Sequence, residues 1–285
     1  MSPCQRAGSP GVGVVIPAFN EEVVLRRCPL AVLDQTVAAE MIIVVDNGST
    51  DGTRAVGTHM QAEHPQAPLT LLQQSAEPGV VLTRNAGVDA PDVEVLGRID
   101  ADSVLASDWV EQVQQAFQDP QLAAATGPVL CYDLPLPRLG LVLDTVGRQL
   151  MMKLVADRPP FLYSSNMAIR RTAQERIRAT ICRDEHYRMH EDIDLSLQLS
   201  EHRLRIAYLP AMITGVSARR MDDSPASFRY YVGRYRRTYS AHQVTSPVPL
   251  TATVILRCLY WPLKLGRLLR HPRFPPRGPV CRSWL

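Results

Sequence analysis

The sequence predicts an α/β fold in which a mostly parallel sheet is covered by helices on both faces. Three observations carry that prediction. The runs Val12–Ile16, Met41–Val45 and Val95–Ile99 read as strands that are apolar throughout, the pattern of strands buried on both sides. Segments with helical signals alternate with them through the first 130 residues. Two of the runs lead directly into an aspartate, Asp46 and Asp100, at the carboxyl ends of strands where sheets of this class bind ligands.

Taken in order, Val12–Ile16 is a short strand expected to stop at Pro17. Asn20 reads as the N-cap of a helix running towards Leu33, with Glu21 and Glu22 favourable at its positive end. Met41–Val45 is the second strand; Asp46 ends it and opens the turn Asn47-Gly48-Ser49-Thr50. Asp51 caps the next helix, Leu69–Leu72 is a weaker third strand, and Gly79–Val88 a helix. Val95–Ile99 ends in Asp100-Ala101-Asp102. The second half predicts helices over Leu139–Val155, from about Thr172 and from about His190, with a strand at Arg205–Leu209.

A chain of 285 residues holds one large domain or two small ones, and 46% apolar with 21% charged residues is ordinary for a globular protein. No apolar run approaches the ~18–20 residues of a membrane span, and Met1–Gly13 lacks the apolar core of a secretory signal. Cys4, Cys28, Cys131, Cys182, Cys258 and Cys281 form no CxxC pair, which argues against a zinc ribbon and suits a reducing cytosol. The net charge of +3 hides an asymmetry: residues 224–285 hold eleven Arg or Lys and no Asp or Glu. Within that tail, Leu250–Leu269 mixes large apolar residues with Arg257, Lys264 and Arg267 around Pro262. It reads as a broken amphipathic helix on an anionic membrane, the alternative being a helix packed on the body with a solvated basic edge. No motif for nucleic acid accompanies the charge.

Several residue types are suited to chemistry. Gly8-Ser9-Pro10-Gly11-Val12-Gly13 precedes the first strand instead of linking strand to helix, so it is no dinucleotide loop. Asp100 and Asp102 offer hard oxygen ligands suited to Mg²⁺ or Mn²⁺ bridging a diphosphate. Asp46 suits a base or ribose, and serves equally as the first residue of its turn. Arg84 is a candidate diphosphate contact. In His190-Glu191-Asp192-Ile193-Asp194 the acids favour a helix start, and one of them is a candidate general base.

These pieces together resemble glycosyltransferase family 2. Val14–Glu22, Val44–Thr53, Thr83–Gly87 and Asp100-Ala101-Asp102 look like its sugar-nucleotide half, and Ser164–Arg171 with His190-Glu191-Asp192 like its acceptor half, in the family's order. The resemblance implies a GT-A fold: a domain over 1–223, with a nucleotide-sugar half at about 12–130 and an acceptor half at about 131–223, followed by a basic helical region at 224–285. It assigns Pro17, Ala18, Asn20 and Glu21 to the nucleotide pocket, Asp46 to the base, Arg84 to base and diphosphate, and Asp100 to ribose or metal. Asp102 becomes the metal ligand, Asp192 the base that deprotonates the acceptor hydroxyl, and Glu191 its orienting neighbour. The implied reaction is single-sugar, inverting transfer from a UDP- or GDP-sugar to a saccharide or lipid-linked acceptor, aided by Mg²⁺ or Mn²⁺. The expected setting is cytoplasmic, peripheral on the inner face of the plasma membrane. Many members carry a histidine metal ligand after the Glu-Asp helix, whereas the stretch Thr214–Arg220 has none. Gly233-Arg234-Tyr235-Arg236-Arg237 stands where processive synthases carry Gln-x-x-Arg-Trp. A non-catalytic nucleotide-sugar-binding descendant and a sugar nucleotidyltransferase of similar fold are the rival readings. Intact Asp100, Asp102 and Asp192 argue against the first, and the acidic stretch Pro17–Glu22 against the second.

Overall fold

The computed structural model describes residues 8–73, 93–154, 161–180 and 188–269. The helix expected at Gly79–Val88, with Arg84, lies outside them. The main sheet comprises β1 (Val12–Ala18), β2 (Met41–Asp46), β3 (Leu69–Gln73), β4 (Val95–Arg98), β6 (Leu122–Thr126), β8 (Met167–Arg170) and β9 (Arg205–Tyr208). Their order is β3-β2-β1-β4-β8-β6-β9. Every pair is parallel except those of β8, which runs antiparallel to both β4 and β6. A smaller sheet of β5 (Val104–Leu105), β10 (Thr214–Val216) and β7 (Val129–Cys131) lies beyond the carboxyl end of β4.

Alternation across the sheet explains the apolar runs. Val12, Val14, Ile16 and Ala18 of β1 join Leu25, Cys28, Val32 and Trp109 in one core. The intervening Val15 joins Ile43, Val45, Leu96, Leu195 and Leu199 in a second. Helices α1 (Arg27–Leu33) and α3 (Trp109–Ala116) therefore cover one face, and α5 (Arg171–Ile177) and α6 (Glu191–Glu201) the other. Helix α2 (Thr53–Glu63) packs beside β3. Trp109 lies against β4 at Gly97, where an added Cβ would meet the indole at 2.8 Å.

Three local expectations are corrected. β1 runs through Pro17 to Ala18. Residues 11 and 15 bond towards β4, so residue 17 faces that side too, and β4 has ended there; the missing N–H costs no ladder bond. Asn20 is not a helix cap: it adopts a left-handed φ of 56°, and residues 22–26 form turns before α1 begins at Arg27. Its side chain instead accepts hydrogen bonds from the amide and hydroxyl of Thr50. The fourth strand is not wholly apolar, because Arg98 is buried at 2% exposure and forms an ion pair with Glu191.

The tail differs most. Helix α7 (Pro225–Ala241) starts at Ser224, whose hydroxyl accepts from the Ser227 amide, with Pro225 at the first turn. Helix α8 (Val248–Leu269) is continuous through Pro262, which sits on an exposed side of the helix. Two of its basic residues turn inward, whereas Arg257 is exposed. Lys264 donates to the carbonyls of Asp222 and Asp223, and Arg267 binds Asp222 and Asp133. Leu250, Val254, Trp261, Leu265 and Leu268, at spacings of three, four and seven, face outward instead. Helix α4 (Pro137–Leu154) likewise exposes Leu139, Val142, Leu143, Val146 and Leu150. Among the described residues no helix is long and apolar enough to cross a membrane.

Candidate functional site

The carboxyl ends of β1, β2 and β4 lie side by side, with Ala18 opposite Asp46 and Val15 opposite Arg98 in register. Pro17 and Ala18 thus stand beside Asp46 at the rim. Asp46 is buried and accepts a hydrogen bond from the Ser49 amide at 3.1 Å, closing the turn at Gly48, whose φ is 74°. This is the turn role that the sequence also allowed. Asn20 ties the end of β1 to the same loop, since its amide donates to the Ser49 hydroxyl. The cap position of α2 is Gly52, not Asp51 as expected, and Asp51 instead fastens the loop just before it by accepting from the Thr53 amide. The hydrogen bond from the Thr53 hydroxyl heads the causes that hold the Asp51 carboxyl below the usual carboxylate range.

Asp100-Ala101-Asp102 follows β4 directly. The Asp102 carboxylate is 9% exposed and lies 3.0 Å from Nε of Arg219. Burial pushes its carboxyl up to about 7; Arg219 opposes this, while Asp100 and Glu21 add to it. The same guanidinium forks onto Glu21, with both Nη–Oε distances at 2.6 Å. Arg219 belongs to the 3-10 turn Arg219–Asp222 that follows β10, in the stretch without a histidine. Tyr132 holds the segment from below, donating from its hydroxyl to the Asp102 carbonyl at 3.0 Å. Asp133 shapes the turn by accepting from the Ser217 hydroxyl and the Ala218 amide.

The acceptor half closes on this rim. Asp192 lies in the first turn of α6, its carboxylate accepting from the amides of Ile193 at 2.9 Å and Ser164 at 3.3 Å. The Ser103 hydroxyl donates to the Ser165 carbonyl, so the chain after Asp102 is stitched to the loop beneath Asp192. The Arg98–Glu191 pair joins the same helix start to β4. Glu191 therefore sits against buried Arg98, next to Asp192 in the chain. His190 packs edge-on to Tyr231 and tilted on Tyr235, at 4.8 and 4.3 Å between centroids. Burial holds its imidazole below the usual value, hence neutral, despite the nearby Asp192. Beside this wall, the Arg148 guanidinium of α4 lies 3.3 Å over the Tyr163 ring.

Asn166 anchors the whole arrangement. Fully buried, it accepts from the Trp109 indole at 2.8 Å and donates to the carbonyls of Pro128 and Met212 at 2.9 and 2.8 Å. The two carboxylates of Asp100 and Asp102 offer hard oxygen ligands of the kind that would suit a divalent cation. Among the described residues no group of three His, Cys, Asp or Glu has the geometry of a complete metal cage. Of the residues marked from sequence, all but Arg84 gather at this one edge; Arg98, Arg148 and Arg219 are additions that the sequence reading missed.

Residues 10–241 match the glycosyltransferase-like family 2. The chain belongs to glycosyltransferase family 2. It is 30% identical over 105 residues to glycosyltransferase AglE of Haloferax volcanii, which is 36% of this chain and 34% of that protein. It is 28% identical over 124 residues to an N-acetylglucosaminyltransferase of Bradyrhizobium elkanii, 42% of this chain and 67% of that one. The match thus spans about a third of the length of AglE and two thirds of the Bradyrhizobium protein. A mannosyltransferase from Pyrobaculum calidifontis, solved in complex with GDP-Man and Mn²⁺, superposes with a TM-score of 0.58 at 20% identity, covering 92% of this chain and 74% of that one. This likeness extends the GT-A fold over nearly the whole family 2 chain.

Proposed function

We propose that this family 2 protein transfers a single sugar from a UDP- or GDP-sugar to an acceptor hydroxyl, with inversion at the anomeric carbon. The observation that carries the reading is the convergence of Asp102 and Asp192 on one edge, stitched by the Ser103–Ser165, Ser164–Asp192 and Arg98–Glu191 contacts. Pro17, Ala18, Asn20, Glu21, Asp46 and Asp100 line the nucleotide side, and Arg84 is assigned to base and diphosphate. Asp100 and Asp102 hold Mg²⁺ or Mn²⁺, which when bound neutralises charge on the departing diphosphate. Asp192 takes the proton of the attacking hydroxyl, and Glu191, held by Arg98, keeps the helix start in place. The GDP-Man of the Pyrobaculum neighbour supports a nucleotide-sugar donor, and its Mn²⁺ supports the metal.

The division of labour gives residues 1–223 the transfer chemistry and 224–285 the contact with an anionic membrane surface. Support for the latter comes from the outward apolar faces of α8 and α4, with exposed Arg229, Arg236 and Arg257 available to lipid head groups. A lipid-linked acceptor suits that location and a saccharide is the alternative. The test is release of nucleoside diphosphate from UDP- and GDP-sugars with Mn²⁺ across an acceptor panel, comparing wild type with Asp192→Asn. A loss of kcat of ~10²–10⁴-fold with donor affinity retained is expected. Binding without turnover on any acceptor would favour the non-catalytic reading, and diphosphate released from a nucleoside triphosphate would favour a nucleotidyltransferase.

A further inference from the structure

We infer that Arg219 is a resident cation of the donor site, which holds Asp102 until a divalent ion and a diphosphate replace it there. The inference deepens the proposed reaction and rests on it for the identity of the diphosphate. One guanidinium spans two carboxylates that belong to different strands: Nε reaches Asp102 after β4, and the two Nη atoms reach Glu21 after β1. Asp100 adds a further negative charge beside Asp102. Three carboxylates crowded at one rim require a counter-charge, and Arg219 supplies it. Its Nε contacts one of the two Asp102 oxygens, so guanidinium and metal would draw on the negative charge of the same carboxylate.

The side chain is about half exposed, at 47%, while Asp102 is buried. The long, mobile arm is therefore the partner that moves. Its backbone is held: Ser217 and Ala218 bond to Asp133, and the Arg219 amide donates to the Ser217 hydroxyl. The arm swings from a fixed root. A donor brings two charged phosphates, for which a planar fork of N–H donors is well matched. With a divalent ion held at Asp102, Nε would be released, and an arm that also leaves Glu21 would present Nε and both Nη groups to the diphosphate. Arg219 thus serves as a switchable counter-ion at the position where the chain lacks a histidine.

The experiment measures Mn²⁺ binding without nucleotide, by water-proton relaxation, in wild type, Arg219→Gln and Arg219→Lys, alongside thermal unfolding of each. Arg219→Gln is expected to bind Mn²⁺ ~10–100-fold more tightly, the factor that corresponds to removing one competing charge-assisted hydrogen bond. With metal saturating, it is expected to bind GDP and UDP more weakly than wild type. Arg219→Lys keeps the charge but loses the fork, so its Mn²⁺ affinity should stay near wild type while its diphosphate affinity falls. Unchanged or weaker Mn²⁺ binding in Arg219→Gln, with a native melting curve, overturns the inference. If Arg219→Gln melts early, Arg219→Lys decides: diphosphate affinity equal to wild type overturns it. These measurements use no sugar donor, so they stand or fall separately from the transfer reaction.

Discussion

Asn166→Ala isolates what the serine-serine-asparagine segment does. The carboxamide makes three buried hydrogen bonds, to the Trp109 indole and to the carbonyls of Pro128 and Met212, all at 2.8–2.9 Å. Alanine leaves the Trp109 indole and the Met212 carbonyl without this partner, while the Pro128 carbonyl keeps the hydrogen bond from the Thr214 amide. Each orphaned group costs ~1–3 kcal/mol, and the Met212 carbonyl has a second lone pair, so the low end applies: about 2 kcal/mol in all. A urea titration followed by tryptophan fluorescence reads this as a lower midpoint with an unchanged slope. Asn166→Asp is expected to cost more than alanine, because a carboxylate faces two carbonyl oxygens. Activity at a temperature where both variants remain folded should fall less than for Asp192→Asn. A loss below about 1 kcal/mol for Asn166→Ala would refute the accounting.

Glu191→Gln removes the charge partner of buried Arg98 and is expected to cost about 3 kcal/mol in the same titration, with a smaller effect on kcat than Asp192→Asn; the reverse order of kcat losses would exchange the roles of the two acids. His242 clamps α6 to the end of α7, facing Asp194 at 2.7 Å and Glu201 at 2.9 Å. Burial lowers its pKa, but hydrogen bonds to Glu201 and Asp194 outweigh that and raise it overall. Its stabilisation is therefore full below about pH 6.5, the unfolded value, and is lost as pH rises through the raised folded value. Melting temperature should fall across that window in wild type and not in His242→Gln; identical profiles would dismiss the clamp. Trp261→Glu with Leu265→Glu should weaken binding to vesicles containing anionic lipid by ~10-fold or more, since each buried apolar side chain is worth ~1.5–3 kcal/mol, and unchanged binding would exclude α8 as the contact.

What the sequence disclosed followed from how local each signal is. The strands β1, β2 and β4 were legible because burial on both faces leaves continuous apolar runs. Asp100 and Asp102 were legible because their position at a strand end carries meaning without any partner being known. Arg98 was hidden inside such a run, since nothing local marks an arginine whose carboxylate lies 93 residues away. Arg219 meets Glu21 across 198 residues, beyond any spacing rule. For α8, periodicity told which residues share a face but not which face turns inward. That was decided by Asp133, Asp222 and Asp223, acids of the body that draw Lys264 and Arg267 towards them. Pro17 misled because its effect depends on which neighbour its nitrogen faces, information held by β4.

The same acids connect α8, the last helix among the described residues, to segments far from it in the chain. Arg267 grips Asp133, Asp133 grips Ser217 and Ala218, and Arg219 follows directly on its way to Asp102 and Glu21. Contacts thus run without a break from α8 to the arm of Arg219. Shortening the chain before Val248 would strip a bracing strut and uncover Phe228 and Val232, so a shortened protein with poor turnover would report a slackened linkage as much as a lost surface. Pressing α8 against a bilayer would load that strut. The helix farthest along the described residues is in this sense tied to the ends of the first and fourth strands.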